Sequence, residues 1–90
     1  MTSLVSILKV LACEPRLKIL RLLKQRSLCV NAITSMLDIT QSAVSQHLRV
    51  LKEAGLVKAE KRGYWTHYSV ETQALRKHGD MVSSIFDIRE

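Results

Sequence analysis

Apolar residues recur at helical spacing in the first third of the chain, which predicts two amphipathic helices there. The first helix carries an apolar stripe formed by Leu4, Leu8 and Leu11 and flanked by Ile7. The second helix carries a broader apolar face formed by Leu17, Ile19, Leu20 and Leu23. Pro15 suits the first position of the second helix, because its missing N–H is no loss there. We expect both faces to lie in the core or in a contact between subunits.

The middle of the chain predicts two more helices joined by a short turn, Asp38-Ile39-Thr40. The shorter helix, Val30 to Leu37, is expected to bury Ala32, Ile33, Met36 and Leu37. Thr40 suits the N-cap of the longer helix, because its hydroxyl can accept a hydrogen bond from a free N–H of the first turn. Gly55 suits the left-handed residue that closes that helix. A helix, a short turn and a second helix form the helix-turn-helix arrangement.

The longer helix separates polar from apolar residues onto opposite sides at about 100° per residue. One side holds Ser42, Ser45, Gln46 and Arg49, with Gln41 beside them at the helix start. The other side holds Val44, Leu48 and Leu51. If the apolar side is buried, the polar side is presented and can pair with base edges in a major groove or with phosphate oxygens. The pattern therefore predicts a DNA recognition helix.

The last third of the chain predicts a hairpin followed by a helix. Residues 56–61 and 64–70 are β-prone and flank Arg62-Gly63, a two-residue hairpin signal, so this hairpin would be a wing. Residues 71–86 place six residues at helical spacing, namely Leu75, His78, Met81, Val82, Ile85 and Phe86. That is more apolar surface than a lone C-terminal helix needs on a small domain. We expect this last helix to pack against the first helix and against its twofold mate, giving a homodimer.

Charge is distributed unevenly along the chain. Residues 1–70 hold eleven Lys and Arg against four Asp and Glu, a net charge of +7, whereas residues 71–90 carry −1. The basic part is the part expected to meet DNA, and binding should weaken as salt rises because Lys and Arg release counterions from phosphates. The hydrophobic fraction of 47% argues against disorder. We expect residues 1–90 to form a single cytoplasmic domain, mainly α with a small β-hairpin, of winged helix-turn-helix architecture.

The chain carries five motifs between residues 11 and 57: Leu11-Ala12, Pro15-Arg16-Leu17-Lys18-Ile19-Leu20, Leu28-Cys29-Val30, Gln41-Ser42-Ala43-Val44-Ser45-Gln46-His47-Leu48 and Leu51-Lys52-Glu53-Ala54-Gly55-Leu56-Val57. Together they closely resemble the ArsR/SmtB family of winged-helix repressors. As a set these motifs are specific, whereas each one alone is weak. The resemblance implies a homodimeric, cytoplasmic transcription factor that binds operator DNA. It also implies release from that DNA when an effector, often a metal ion or a thiol-reactive species, binds or modifies the protein.

The candidate DNA contacts lie on the recognition helix and on the wing. We assign five helix residues to the groove or its phosphate walls: Gln41, Ser42, Ser45, Gln46 and Arg49. Lys61 and Arg62 at the wing tip are expected to reach phosphates or the minor groove, as wing tips do in such folds. His47 lies to one side of the polar stripe, which leaves DNA contact and a structural hydrogen bond equally open. Tyr64 and Trp65 are expected to pack on the hairpin, because duplex DNA offers no unstacked base to receive them.

The effector is the least determined part of the function. Metal-binding relatives often carry Cys-x-Cys at the start of the helix before the recognition helix, because soft ions such as As(III) need two or three thiolates. This chain has Cys29-Val30-Asn31 there, so an amide replaces the second thiol. Zinc-binding relatives use an Asp-x-His pair and, further along, a His-x-x-Glu or His-x-x-His pair in the C-terminal helices. This chain offers His78, Asp80, Asp87 and Glu90, but His78-Gly79-Asp80 has the reverse order and no second histidine follows. No metal site and no certain cofactor are predicted, and a metal or arsenite effector stays an alternative with incomplete ligands.

Two interpretations are open for the two cysteines, Cys13 and Cys29. A reduced and inert pair is usual in a cytosolic protein. The alternative is a thiol switch, since Cys29 falls near a helix N-terminus, which favours the reactive thiolate, and Cys13 lies at the junction of the first two helices. If the two thiols lie within disulfide range, oxidation or capture of a thiophilic ion would tilt the helix-turn-helix units and release the DNA.

Three functions from different classes follow from these patterns. The first is a DNA-binding transcriptional repressor released by an effector, or a constitutive DNA binder with no inducer site. The second is a winged-helix module whose partner is a protein. The third is a small thiol enzyme that uses Cys29. No enzyme is expected, because no Cys-x-x-Cys occurs and no histidine lies at helical spacing from Cys29 to act as a base.

Overall fold

A computed structural model describes residues 3–88 as a helical domain with a small sheet. Five helices and three strands follow one another along the chain: α1 (Leu4–Leu11), α2 (Glu14–Gln25), β1 (Leu28–Cys29), α3 (Val30–Leu37), α4 (Gln41–Glu53), β2 (Val57–Arg62), β3 (Trp65–Val70) and α5 (Thr72–Phe86). The sheet has the order β1-β3-β2, and both strand pairs are antiparallel. This is the winged helix-turn-helix architecture, with α3 and α4 as the helix pair and β2 and β3 as the wing.

The core is built from one side of each of the first four helices and from the strand ends. Eleven described residues are buried there: Ile7, Ile19, Leu20, Leu23, Leu28, Ile33, Val44, Leu48, Leu51, Leu56 and Val57. They form one cluster, so the recognition helix is packed on the same core as the helices before it. Within residues 3–88, none of the helices has both the length and the apolar composition needed to cross a membrane.

The helix boundaries follow local capping chemistry. Ser3 caps α1 by accepting a hydrogen bond from the Ser6 N–H at 3.2 Å. Cys13 is the N-cap of α2, so Pro15 occupies the second helical position rather than the predicted first. Either position is compatible with proline, because the first four N–H groups of a helix have no intrahelical partner. Asp38 ends α3 with a φ of 55°, a left-handed conformation that aspartate tolerates.

In α1 the buried residue is Ile7, predicted at the flank of the stripe, whereas Leu8 of the stripe is 42% exposed, which agrees with the alternative of a contact between subunits. Two other expectations need correction. In α3 Ile33 is buried as predicted and Leu37 is partly buried, but Met36 in the last turn of this short helix points away from the core and is 46% exposed. In the wing the two loop residues are Gly63 and Tyr64, since Arg62 already pairs with Trp65 in the ladder. Gly63 has a φ of +62°, the left-handed value that favours glycine in a tight hairpin.

Strand β1 is an element that the hydrophobic pattern does not predict. Leu28 pairs with Tyr68 and Cys29 pairs with His67. Two residues carry no periodicity of their own, so this strand exists only through its pairing with β3. Its effect is to fix the chain that enters α3 against the base of the wing.

Candidate nucleic-acid interface

The structure brings four of the predicted contact residues together on the open side of α4. Ser42, Ser45, Gln46 and Arg49 are all exposed and line one shallow depression of about 290 Å³. We call these four residues the reading face. Among the residues that the structure describes, the guanidinium of Arg49 has no hydrogen-bond or ion-pair partner, so its donors are available to a base edge or a phosphate. Gln41 is also exposed and lies in the first turn of the same helix.

The opposite side of α4 is completely covered. Val44, Leu48 and Leu51 each have 0% of their surface exposed. Burying three such side chains contributes several kcal/mol, at about 1.5–3 kcal/mol each. The predicted division of this helix into a buried side and a presented side is confirmed, and the buried side holds the reading face in a fixed orientation.

Both ends of α4 are closed by the residues that the sequence indicated. The Thr40 hydroxyl accepts a hydrogen bond from the Ala43 N–H at 3.1 Å. At the other end Gly55 adopts a φ of +78°, and its N–H donates to the Lys52 carbonyl at 2.9 Å. The Leu56 N–H donates to the Leu51 carbonyl at 3.0 Å, which completes a Schellman motif. A defined start and end fix which residues fall on the reading face.

His47 lies beside the reading face and is partly buried. Its Nδ1 accepts a hydrogen bond from Nε of Arg16 at 3.2 Å. Burial, and secondly the charge of Arg16, lower the pKa of His47 from its ordinary value of 6.5. This contact supports the structural alternative for His47. No local sequence signal points to Arg16 as the partner of His47, because the two residues are 31 positions apart.

The wing presents its charged residues at the tip. Lys61 and Arg62 are both exposed at the end of β2. Arg62 donates from Nε to the Glu60 carboxylate at 2.9 Å and from Nη1 to the Ser27 hydroxyl at 3.4 Å. An exposed ion pair of this kind contributes little, about 0–1 kcal/mol, so Arg62 can exchange it for a phosphate.

Of the two aromatic residues expected to pack on the hairpin, Tyr64 does not do so and Trp65 is only partly covered. Tyr64 is 97% exposed at the tip. Trp65 is 55% exposed and lines a small cleft together with Cys29 and Gln41. The expectation fails because Tyr64 belongs to the two-residue loop, where the backbone turns and no neighbouring strand lies beneath the side chain.

Both cysteines are free thiols and lie at the N-caps of helices, Cys13 at α2 and Cys29 at α3. Cys29 is partly buried in the cleft with Trp65. Asn31, which replaces the second cysteine of the Cys-x-Cys pattern, lines the same cleft. Among residues 3–88 no three His, Cys, Asp or Glu side chains are grouped closely enough to hold a metal ion. Glu90, one of the acidic residues near the chain end, lies outside the described residues.

A second surface lies between α1 and α5. An apolar groove of about 260 Å³ runs between these helices and is lined by Ile7, Leu8, Leu11, Leu56, Leu75, His78, Gly79 and Val82. The two helices are in contact, as predicted for the first and last helices. No described residue of α5 is buried, and Ile85 and Phe86 are 63% and 75% exposed. The predicted excess of apolar surface on the last helix is therefore present in the isolated chain.

Comparison with known families and proteins was made against this geometry. Residues 13–59 match the family model described as "Bacterial regulatory protein, arsR family". The match begins at the N-cap of α2, includes α3 and α4, and ends within β2. It therefore contains the helix-turn-helix and the reading face.

Three similar proteins illustrate the match. The uncharacterized HTH-type transcriptional regulator YbzH of Bacillus subtilis is 35% identical, over 89% of this chain and 95% of that protein. The arsenical resistance operon repressor of Escherichia coli is 42% identical, over 71% of this chain and 56% of the repressor. The solution structure of the homodimeric winged helix-turn-helix DNA-binding domain Mb0332 from Mycobacterium bovis superposes with a TM-score of 0.73 at 31% identity, covering 86% of this chain and 71% of that chain.

Proposed function

The chain belongs to the arsR family of bacterial regulatory proteins, DNA-binding regulators of transcription, and we propose that it represses transcription by binding operator DNA as a homodimer. The observation that carries this proposal is the division of α4. Four polar side chains lie together on its open side, while Val44, Leu48 and Leu51 on the other side are fully buried. A helix held in this way presents a fixed polar surface of the width that a major groove admits.

We propose that the interface has two parts. The reading face, with Gln41, enters the major groove or contacts its phosphate walls. Lys61 and Arg62 at the wing tip contact phosphates or the minor groove. The net charge of +7 over residues 1–70 supports this placement, because phosphate contacts supply most of the affinity that does not depend on sequence.

The homodimer is proposed to form through α1 and α5. The groove between these helices and the exposed Ile85 and Phe86 support a contact in that region. The similarity to a domain described as homodimeric supports it as well. A twofold dimer would offer two reading faces to successive major grooves, about one helical turn of DNA apart.

Release by an effector is a prediction that follows from the family resemblance alone. The position of Cys29 at the N-cap of α3, in a cleft shared with Gln41, places a thiol next to the start of α4. The donor set does not fit a soft metal ion, because Asn31 offers an amide where a second thiolate would be needed. We therefore derive no step of the function through a bound metal.

The proposal is tested by selecting duplexes from a randomised double-stranded library with the full chain and measuring affinity for the selected duplex. We expect a palindromic sequence to be enriched. Arg49→Ala should weaken binding to it about tenfold or more, because a good Arg–base pair contributes about 1–3 kcal/mol. Affinity should also fall steeply as salt is raised.

The matched control is Lys24→Ala, which removes one positive charge from α2. Lys24 is exposed and lies beside Val70, at the end of β3 opposite the wing tip. This variant should change affinity less than about threefold. The proposal is wrong if no sequence is enriched, or if the Arg49 and Lys24 variants lose affinity equally.

A further inference from the structure

A single guanidinium connects three helices next to the reading face. Arg16, in the first turn of α2, donates from Nη1 to the carbonyl oxygen of Val10 at 3.1 Å and from Nε to Nδ1 of His47 at 3.2 Å. Val10 lies in the last turn of α1 and His47 lies in the middle of α4. We infer that Arg16 is a positioning residue, which links the end of α1 to α4 through His47 and thereby sets where the reading face lies.

The α1 side of this link uses a group that needs a partner. The last four carbonyls of a helix have no intrahelical donor, and Val10 is one of them. A cation at the C-terminus of a helix is also favoured by the helix dipole. The planar fork of arginine can serve this carbonyl and a second acceptor at a fixed angle, which the single ammonium of lysine cannot do.

The α4 side of the link fixes the state of the imidazole. A ring nitrogen that accepts a hydrogen bond carries no proton, so His47 is neutral with its proton on Nε2. The lowered pKa of His47 agrees with this state. Because both groups are partly buried, water competes less well for the hydrogen bond than at an exposed site. The ring is therefore held, and with it the turn of α4 that carries Gln46 and Arg49.

The consequence is that α4 follows the movement of α1. In the proposed dimer α1 lies at the contact between subunits, so Arg16 connects that contact to the DNA-facing side by one side chain. Chains of hydrogen-bonded side chains can carry such coupling. Val10, Arg16 and His47 form a continuous path that consists of two hydrogen bonds. The test of this inference by DNA affinity rests on the proposed function, whereas a second test by amide resonances does not.

The test compares Arg16→Met with Arg21→Met. Arg21 is exposed on the same helix and makes none of the side-chain hydrogen bonds or ion pairs found within residues 3–88, so the control removes the same charge without breaking the link. We expect Arg16→Met to weaken binding to the selected duplex about tenfold relative to Arg21→Met. Binding to a scrambled duplex should be equal in the two variants, because phosphate contacts are unchanged.

Substitutions at His47 separate positioning from general stability. In His47→Asn the side-chain oxygen replaces Nδ1 as the acceptor, and we expect affinity within about threefold of the parent chain. In His47→Met the acceptor is lost, and the loss should match that of Arg16→Met. The double variant Arg16→Met/His47→Met should bind the selected duplex no more weakly than either single variant, because both substitutions break the same hydrogen bond. If Arg16→Met does not fold, the comparison of the two His47 variants decides.

A second arm needs no DNA. Amide resonances of Ser45, Gln46 and Arg49 should shift in Arg16→Met and stay in place in Arg21→Met. If these resonances shift while no duplex is ever selected, the proposed function fails and the positioning link stands. The inference is overturned if the resonances do not move, if His47→Asn is as damaging as His47→Met, or if selected and scrambled duplexes lose affinity together.

Discussion

Helices α4 and α5 are both amphipathic, yet they differ in what covers their apolar sides. The apolar side of α4 is fully buried by the chain's own core, whereas no described residue of α5 is buried. The apolar side of α4 consists of Val44, Leu48 and Leu51, and the helix contacts α2, α3 and β2. In the last turn of α5, Ile85 and Phe86 are mostly exposed. The comparison shows that one helix is positioned by its own domain, while the other presents a surface suited to a second copy.

Truncating a buried side chain of α4 should give the largest difference in stability between the two helices. Leu48→Ala is expected to lower the free energy of unfolding by about 3 kcal/mol, because it removes a fully buried side chain and leaves a cavity. This loss should be the same at every protein concentration. Chemical denaturation at several concentrations measures it.

The matched truncation is Ile85→Ala on α5. Since Ile85 is mostly exposed in the single chain, its loss should appear only at concentrations where the dimer forms. If Leu48→Ala and Ile85→Ala lower the free energy of unfolding equally at every protein concentration, the apolar sides of the two helices are buried alike and the proposed difference between them is wrong.

Placing a charge on the apolar side of α5 should break the dimer without unfolding the domain. Ile85→Asp is expected to raise the dimer dissociation constant about hundredfold or more, because an unpaired carboxylate would be buried in the contact. Ser84→Asp adds the same charge to the neighbouring position, which is exposed and lies on another side of the helix, and should leave dimerisation nearly unchanged. Sedimentation equilibrium distinguishes the two. A dimer that survives Ile85→Asp would place the contact elsewhere.

The smallest expected difference concerns pH, which acts on α4 through His47. Its pKa is lowered in the folded chain by burial and then by Arg16, so the unfolded chain takes up the proton first as the pH falls through 6.5. The stability contributed by neutral His47 is therefore present above that pH and lost below it. The Tm should fall when the pH is lowered from about 7 to about 5.

In His47→Asn this fall in Tm should be smaller, because the residue at position 47 no longer titrates. His67 and His78 are present in both chains, so the difference between the two pH profiles isolates His47. Identical profiles would mean that protonation of His47 does not affect folding.

The parts of the fold that were predictable from the sequence depend on local interactions. The limits of α4 follow from Thr40 and Gly55, whose capping roles involve neighbours within five residues. The two sides of α4 follow from helical spacing, which is why the reading face was assigned residue by residue. The excess apolar surface of α5 was predictable for the same reason.

The parts that escaped prediction depend on distant residues. Strand β1 forms only because Leu28 meets Tyr68, and the partner of His47 is 31 positions away. Tyr64 was misplaced because a shift of the hairpin loop by one residue moves it from a strand to the tip. In each case the sequence shows the residue type but does not show its neighbour.

Trp65 has a practical consequence, since it is the chain's single tryptophan. Its indole stands in the cleft between the wing and the start of α4, half open to water. Nearly all of the near-ultraviolet emission of the chain therefore originates beside Gln41, at the edge of the proposed DNA interface. A duplex bound there would displace water from the indole ring and change the wavelength and intensity of its fluorescence. The unmodified protein therefore carries its own optical probe of binding.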